Sequence, residues 1–227
     1  MDIRLHYIEQ GKGEPLVLLH GNGESHHYFE RQMDTLAAHF RVLAVDTRGH
    51  GDSPRGSAPF TLSQFVDDLL AFLGARGIER AHLLGFSDGG NIALLFALRY
   101  PDRVGRLILN GANLTPRGMR THVLLSILAD YSTATLRARS DENAAQKKEL
   151  LGLMANEPHI STQALKTLRM PVLVIAGRHD MIRESHTRDI ANAIPGARLI
   201  ILEGDHFIAA KNSAAFNAHV LYFLLKT

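Results

Sequence analysis

Cysteine is absent from this chain of 227 residues, which excludes a disulfide framework and any thiolate metal site and suits the chain to a reducing compartment. Long apolar runs are missing too. Nothing approaches the roughly 20 apolar residues needed to span a bilayer, and Val220 to Leu225 reads as a buried helix end. The opening Met1-Asp2-Ile3-Arg4-Leu5-His6 carries no apolar stretch of the length a secretory signal needs. Charge of one sign does not accumulate either: 25 lysines and arginines are interspersed with 23 aspartates and glutamates, for a net charge of +2. Neither nucleic acid nor a membrane surface is therefore expected as a partner. Internal repeats and low-complexity tracts are lacking. A content of 45% hydrophobic and 21% charged residues fits one compact globular domain, with the cytoplasm as its default location and the oligomeric state left open.

What is present is an alternation of short apolar runs with helix-like segments. Arg4 to Glu9 alternates as an opening strand, and a turn over Gln10 to Pro15 leads into Leu16 to Leu19. That run is continuously apolar, as in strands covered on both faces. The pattern recurs at Val42 to Val45, Ala81 to Phe86, Leu107 to Leu109, Val172 to Ala176 and Leu199 to Leu202. Helical sequence is expected near Tyr28 to His39, Leu62 to Arg76, Asn91 to Arg99, Ser185 to Ile194 and Ser213 to Leu225. The alternation predicts an α/β fold, an open and mostly parallel sheet with helices on both faces. From Gly111 to Arg169 no strand is expected, only helix-like His122 to Leu136, Glu142 to Met154 and Thr162 to Leu168. Placed after a sheet strand, this segment reads as a small helical cap over the carboxyl edge where ligands bind in open α/β sheets. The division is then a core of residues 1–110 and 170–227 with a cap insertion of 111–169; ordinary crossover helices on a sheet face are the alternative.

The chain is organised around Leu83-Leu84-Gly85-Phe86-Ser87-Asp88-Gly89-Gly90. A strand runs into a serine with glycine two residues away on each side, and a helix follows at once. Such a corner strains the serine backbone, needs glycines where strand and helix approach, and thrusts the hydroxyl above the carboxyl edge of the sheet.

A serine nucleophile needs a base, and the base a carboxylate. Of 13 histidines, His206 follows a late strand and the turn Glu203-Gly204-Asp205, whereas His82 lies within a strand, His39 and His219 within helices, and His179 beside another candidate. Asp180, in Gly177-Arg178-His179-Asp180 after Val172 to Ala176, stands at the same edge one strand earlier. Asp205 is its competitor, although neighbours on a tight turn seldom meet side chain to side chain. The loop Asn110-Gly111-Ala112-Asn113 contains no acid. The order Ser87, Asp180, His206 matches a nucleophile on this kind of elbow. The oxyanion needs two backbone donors, for which the N–H of Asp88 at the helix start and the N–H of Asn22 in His20-Gly21-Asn22-Gly23 are the candidates.

In this order the motifs resemble those of the α/β-hydrolase-fold family along nearly the full chain. His20 to Gly23 resembles its H-G oxyanion loop, Asp46 to Ser53 its D-x-R-G-x-G-x-S turn, Gly85 to Gly90 its nucleophile elbow, Gly177 to Asp180 its G-x-x-D loop, and Glu203 to His206 its histidine loop. The elbow is similar to that of valacyclovir hydrolase-like members. The chain departs from the family in having one residue fewer before the histidine, a short length, no first edge strand and a small cap, which implies an open or shallow pocket.

Asp88 has two readings: it draws a cationic substrate such as an amino-acid ester toward Ser87, or it satisfies amides in the first helical turn. Leu124, Leu128 and Met154 are candidates to line an acyl pocket, although residues at helical spacing often simply pack. His26 and His27, as adjacent helical residues, point about 100° apart and do not suggest a metal. The Asp46 to Ser53 turn reads as a buttress of the sheet edge. The expected function is a serine hydrolase without cofactor or metal, cleaving a small carboxylic ester through an acyl-enzyme. Lactonase, C–C bond hydrolase, acyltransferase or haloperoxidase chemistry on the same triad, or a non-catalytic small-molecule binding protein, are the alternatives.

Overall fold

A computed structural model describes residues 2–226. The first strand, β1 (Tyr7–Gln10), runs antiparallel to β3 (Arg41–Val45), which pairs in parallel with β2 (Pro15–Leu19). Between β2 and β3 lies helix α1 (Glu30–Ala37), preceded by a 3-10 turn over His26–Phe29. Helix α2 (Leu62–Ala75) leads to β4 (Ala81–Phe86), then α3 (Asp88–Arg99) and β5 (Val104–Asn110). Three helices follow with no strand between them: α4 (Thr121–Arg137), α5 (Glu142–Asn156) and the short α6 (Thr162–Leu165). The chain returns to the sheet with β6 (Val172–Gly177), α7 (Glu184–Ala193), β7 (Arg198–Leu202), α8 (Ile208–Lys211) and α9 (Ser213–Lys226). The sheet has seven strands in the order β1-β3-β2-β4-β5-β6-β7, all parallel except β1.

The continuous apolar strands are continuous because each face meets its own helices. Val17, Leu19, Leu43, Leu83 and Leu107 pack with Phe65, Leu69 and Phe72 of α2, Ile92 and Phe96 of α3 and Ile190 of α7. Their neighbours Leu16, Leu18, Val42, Leu84 and Ile108 pack against Leu36 of α1 and Phe216, Val220 and Phe223 of α9. At the edge, β7 is only half-buried. The opening strand is shorter at its start than the alternation of Arg4 to Glu9 suggests. The backbone around His6 is already engaged: its carbonyl accepts the Asp46 N–H at 3.0 Å and its N–H donates to Ser53 Oγ at 2.8 Å.

The turn after β3 is held from inside. The Arg48 side chain is fully buried; it donates to both oxygens of Asp68 on α2 at 2.8 Å each and to Asp2 Oδ1 at 2.7 Å. Ser53 Oγ closes the turn by donating to the Asp46 carbonyl at 2.7 Å. These bonds fix the sheet edge beside the H-G loop. Removing Asp68 would leave a buried guanidinium short of its main counter-charge. Asp68→Ala is expected to lower unfolding free energy by about 3 kcal/mol or more in urea titration; a loss under about 1 kcal/mol would mean that Asp2 and water replace the pair.

Candidate active site

Between β4 and α3, Ser87 has φ 52° and ψ −119°, a positive φ that among the described residues no other non-glycine residue shares. The corner is tight for a steric reason. A Cβ on Gly85 would fall on the carbonyl of Gly89, and one on Gly89 on the carbonyls of Leu19 and His20, so strand, helix and neighbouring strand meet backbone to backbone. The Ser87 N–H donates to the Asn110 carbonyl at 2.8 Å, and the Ser87 carbonyl accepts the Asn91 N–H at 3.0 Å. Both main-chain groups of the strained residue are thus satisfied from adjoining elements.

The Ser87 hydroxyl stands 3.0 Å from His206 Nε2, and His206 Nδ1 stands 2.7 Å from Asp180 Oδ1. Asp180 Oδ1 also accepts the Ile182 N–H at 2.8 Å. His206 and Asp180 are buried, 5% and 1% exposed, so the contact between them is shielded from water. Asp205 faces elsewhere: its carboxylate pairs with the Lys211 ammonium and accepts the Phe207 N–H at 3.0 Å. The Lys211 bond holds its carboxyl below the usual aspartate range. Space for His206 comes from two glycines. A Cβ on Gly111, whose φ is 62°, would stand 2.8 Å from His206 Cε1, and one on Gly177 would fall on the Asp205 carbonyl. Phe86 and Tyr28 stack at 4.0 Å, and Phe86 lies 4.8 Å from the His206 ring.

On the other side of Ser87, the H-G loop is set by the His20 imidazole. Its Nε2 accepts the Thr47 N–H at 3.0 Å, so Nδ1 carries the proton and donates to the Gly21 carbonyl at 2.7 Å. Burial pushes the His20 pKa down to about 4, keeping the ring neutral for this double role. A Cβ on Gly21 would meet the Phe86 ring at 2.9 Å and Ser87 Cβ at 3.2 Å. Among the described residues, no acceptor is bonded to the main-chain N–H of Asn22 or of Asp88.

Asp88 is buried, with both carboxylate oxygens engaged. Asn22 Nδ2 donates to Oδ2 at 2.9 Å and Asn91 Nδ2 to Oδ1 at 3.3 Å. Asn91 in turn exchanges hydrogen bonds of 3.0 Å with Asn113. Burial raises the Asp88 pKa while the two amide donors oppose that rise. Asn22 Nδ2 also donates to the Leu150 carbonyl of α5 at 2.9 Å.

Leu124 and Met154 pack with Met119, Ile127, Leu151 and Ile182, whereas Leu128 is 38% exposed and stands outside that cluster. A cavity of about 920 Å³ opens between the loop after β3 and helices α4 and α5, lined by Arg55, Phe60, Tyr131, Lys148, Glu149 and Leu150 among others. Ser87 and His206 do not line it; Leu150, which does, is the residue whose carbonyl accepts the Asn22 amide. Sequence reasoning missed Gly111, Asn91 and the Leu150 carbonyl. The first carried a faint signal, a glycine directly after a strand; a carbonyl supplied 128 positions away carries none. Among the described residues, one group has the makings of a metal site: His6, His26, Asp46 and Asp52.

No helix among the described residues is long and apolar enough to cross a membrane. A profile of the alpha/beta hydrolase fold matches residues 14–169. The chain is 31% identical to a putative carbamate hydrolase RutD of Caulobacter sp. (strain K31), over 93% of its own length and 90% of that protein. It is 44% identical to a 2-hydroxy-6-oxononadienedioate/2-hydroxy-6-oxononatrienedioate hydrolase of Paraburkholderia phymatum, over 48% of this chain and 40% of that one. Among solved structures it superposes on the enol-lactonase from Burkholderia xenovorans LB400 with a TM-score of 0.81 at 27% identity, covering 99% of this chain and 97% of the other. A parallel sheet with its serine at a strained strand-to-helix corner, a profile match over most of its length and a hydrolase relative spanning nearly all of it make this chain a member of the α/β-hydrolase-fold family.

Proposed function

We propose that this hydrolase-family protein is a serine hydrolase cleaving a small carboxylic ester through an acyl-enzyme. The observation that carries the reading is the unbroken chain from Ser87 Oγ through both ring nitrogens of His206 to Asp180, at 3.0 and 2.7 Å. His206 takes the Ser87 proton as Oγ attacks the carbonyl carbon, and Asp180 fixes the Nδ1–H tautomer and stabilises the imidazolium. The N–H groups of Asn22 and Asp88 receive the oxyanion, the latter with the favourable field of the α3 N-terminus. The imidazolium then gives its proton to the leaving alkoxide. A water molecule, deprotonated by His206, attacks the acyl carbon and frees the acid and Ser87. None of these steps needs a metal or cofactor.

Residues 111–169 act in this reading as a cap over a core of 1–110 and 170–227, joined to it by Asn22 with Leu150 and by Arg55 with Glu149 at 2.6 and 2.7 Å. The substrate is a small molecule, and a cysteine-free, charge-balanced chain is consistent with work in the cytoplasm. The names of the relatives favour a second reading, in which the same triad cleaves a carbamate, an enol lactone or a C–C bond.

Hydrolysis of p-nitrophenyl acetate and butyrate tests the shared chemistry. Ser87→Ala and Asp180→Asn are each expected to lower kcat by about 10⁴-fold or more with the fold intact; turnover retained in Ser87→Ala would remove Ser87 as the nucleophile. A panel of carbamates, lactones and C–C substrates then ranks the two readings by kcat/KM. Asp88 is buried, and each of its carboxylate oxygens already accepts an amide donor, from Asn22 and from Asn91, which favours the structural reading. Asp88→Asn is therefore expected to reduce kcat/KM alike on neutral and amino-acid esters, and a loss confined to amino-acid esters would restore the cation role.

A further inference from the structure

The turn after β3 carries a feature that the proposed hydrolysis does not use. His6, just before β1, His26, in the 3-10 turn behind the H-G loop, Asp46, directly after β3, and Asp52, in the following turn, bring one ligand atom each to within 4.8 Å of one another. His6 Nδ1 lies 2.8 Å from Asp46 Oδ2 and 3.8 Å from Asp52 Oδ2, while His26 Nδ1 lies 3.0 Å from Asp46 Oδ2. We propose that these four side chains form a binding site for a divalent transition-metal cation of the zinc type, separate from the triad.

Three features support the assignment. The first is geometric: ligand atoms bound at 2.0–2.1 Å in a tetrahedron stand about 3.3 Å apart, and here three of the six separations are 2.8, 3.0 and 3.8 Å and all lie within 4.8 Å, so a small contraction of the outer pair closes the set. The second is chemical. Two neutral imidazoles and two carboxylates carry a charge of about −2, which a divalent cation cancels, and mixed nitrogen and oxygen donors suit zinc-like ions better than calcium or magnesium. Without an ion, each Nδ1–H donates to the Asp46 carboxylate; the cation would take the place of these protons, each ring then binding through Nδ1 with its proton on Nε2.

The third is preorganisation. Asp46 is buried and already oriented by main-chain donors, the His26 N–H at 2.6 Å to Oδ1 and the Asp52 N–H at 3.0 Å to Oδ2. Such outer bonds fix a ligating carboxylate before the ion arrives. His26 is buried as well, whereas the side chains of His6 and Asp52 are 37% and 73% exposed, so the site has a rigid inner half and an open outer half for entry. Against the divergence expected of adjacent helical residues, the His27 ring lies 4.1 Å from that of His26; it stays outside the set because its Nδ1 bonds to Glu30 at 2.6 Å. A bound cation would tie the segment before β1 and the turn after β3 to the chain that leaves the H-G loop.

The test is calorimetric titration of the full chain, free of any histidine tag and stripped with chelator, with zinc chloride near neutral pH. One zinc per chain is expected in the wild type and in His27→Ala, and binding at least about tenfold weaker in the double variant His6→Ala/Asp52→Asn. The proposal is overturned by the absence of stoichiometric binding in the wild type, by equal affinity in the double variant, or by a loss as large in His27→Ala. Cobalt loading of the wild type gives a reading that no variant's folding can confound. Intense visible bands of a four-coordinate ion are expected, and the pale spectrum of a six-coordinate ion would count against the site.

Discussion

The whole arrangement depends on one close approach of three backbones. Where β4 turns into α3, the carbonyls of Gly89, Leu19 and His20 occupy the places that a Cβ on Gly85 or Gly89 would need. That proximity makes the chain reverse sharply at one residue, and Ser87 takes a strained positive-φ conformation there, φ 52° and ψ −119°. A non-glycine residue held there costs about 1–3 kcal/mol. The strain is sustained by the bonds of Ser87 to Asn110 and Asn91 and by the apolar packing of both sheet faces. Every other part of the site is arranged around the hydroxyl that this corner exposes.

From that corner the sheet order explains why so few residues need to be specified. β2, β5 and β6 end on the same rim as β4, so their following loops supply Asn22, Gly111 and Asp180. β7 lies one strand further and supplies His206. Parallel strands spaced by hydrogen bonding set the lateral distances, and small residues set the rest. Gly111 and Gly177 leave the volume that the imidazole and its loop fill. Several buried polar groups of the rim are then paired with fixed partners, while Asp180 Oδ2 and His50 Nε2 carry no hydrogen bond among the described residues. Neutral His20 couples Thr47 to Gly21, and Arg48 pairs with both Asp68 and Asp2. An unpaired group here would cost more than the pairing yields.

Much of this was legible in the sequence because it is local. The strands show as apolar runs with helices between them, the elbow as two glycines about a serine, and Asp180 and His206 as polar residues directly after strands. Asp205 and Asp180 were separable only by where neighbours on a tight turn can point, and the Lys211 partner of Asp205 completes that argument. The parts that escaped are those made by residues distant in sequence. Nothing near Asn22 announces Leu150, and nothing near Asp88 announces that Asn91 and Asn113 close a chain of amides behind it. His6 and His26, twenty positions apart, share one carboxylate only because β1 pairs with β3. Leu128 shows the converse limit, since helical spacing alone does not say which side of α4 is covered.

Asn22 joins these levels. Its main-chain N–H stands in the loop beside Ser87, while its side chain divides between the Asp88 carboxylate and a carbonyl of α5. Any shift of α5 relative to the sheet must therefore stretch a bond to the same residue that holds the Asp88 carboxylate next to Ser87. Arg55 and Glu149 restrain that shift from the far side of the cavity. The helices between β5 and β6 thus reach the site through the Leu150 carbonyl, which sets where the Asn22 loop stands. Substitutions in that segment can then alter turnover as well as affinity without touching Ser87, His206 or Asp180.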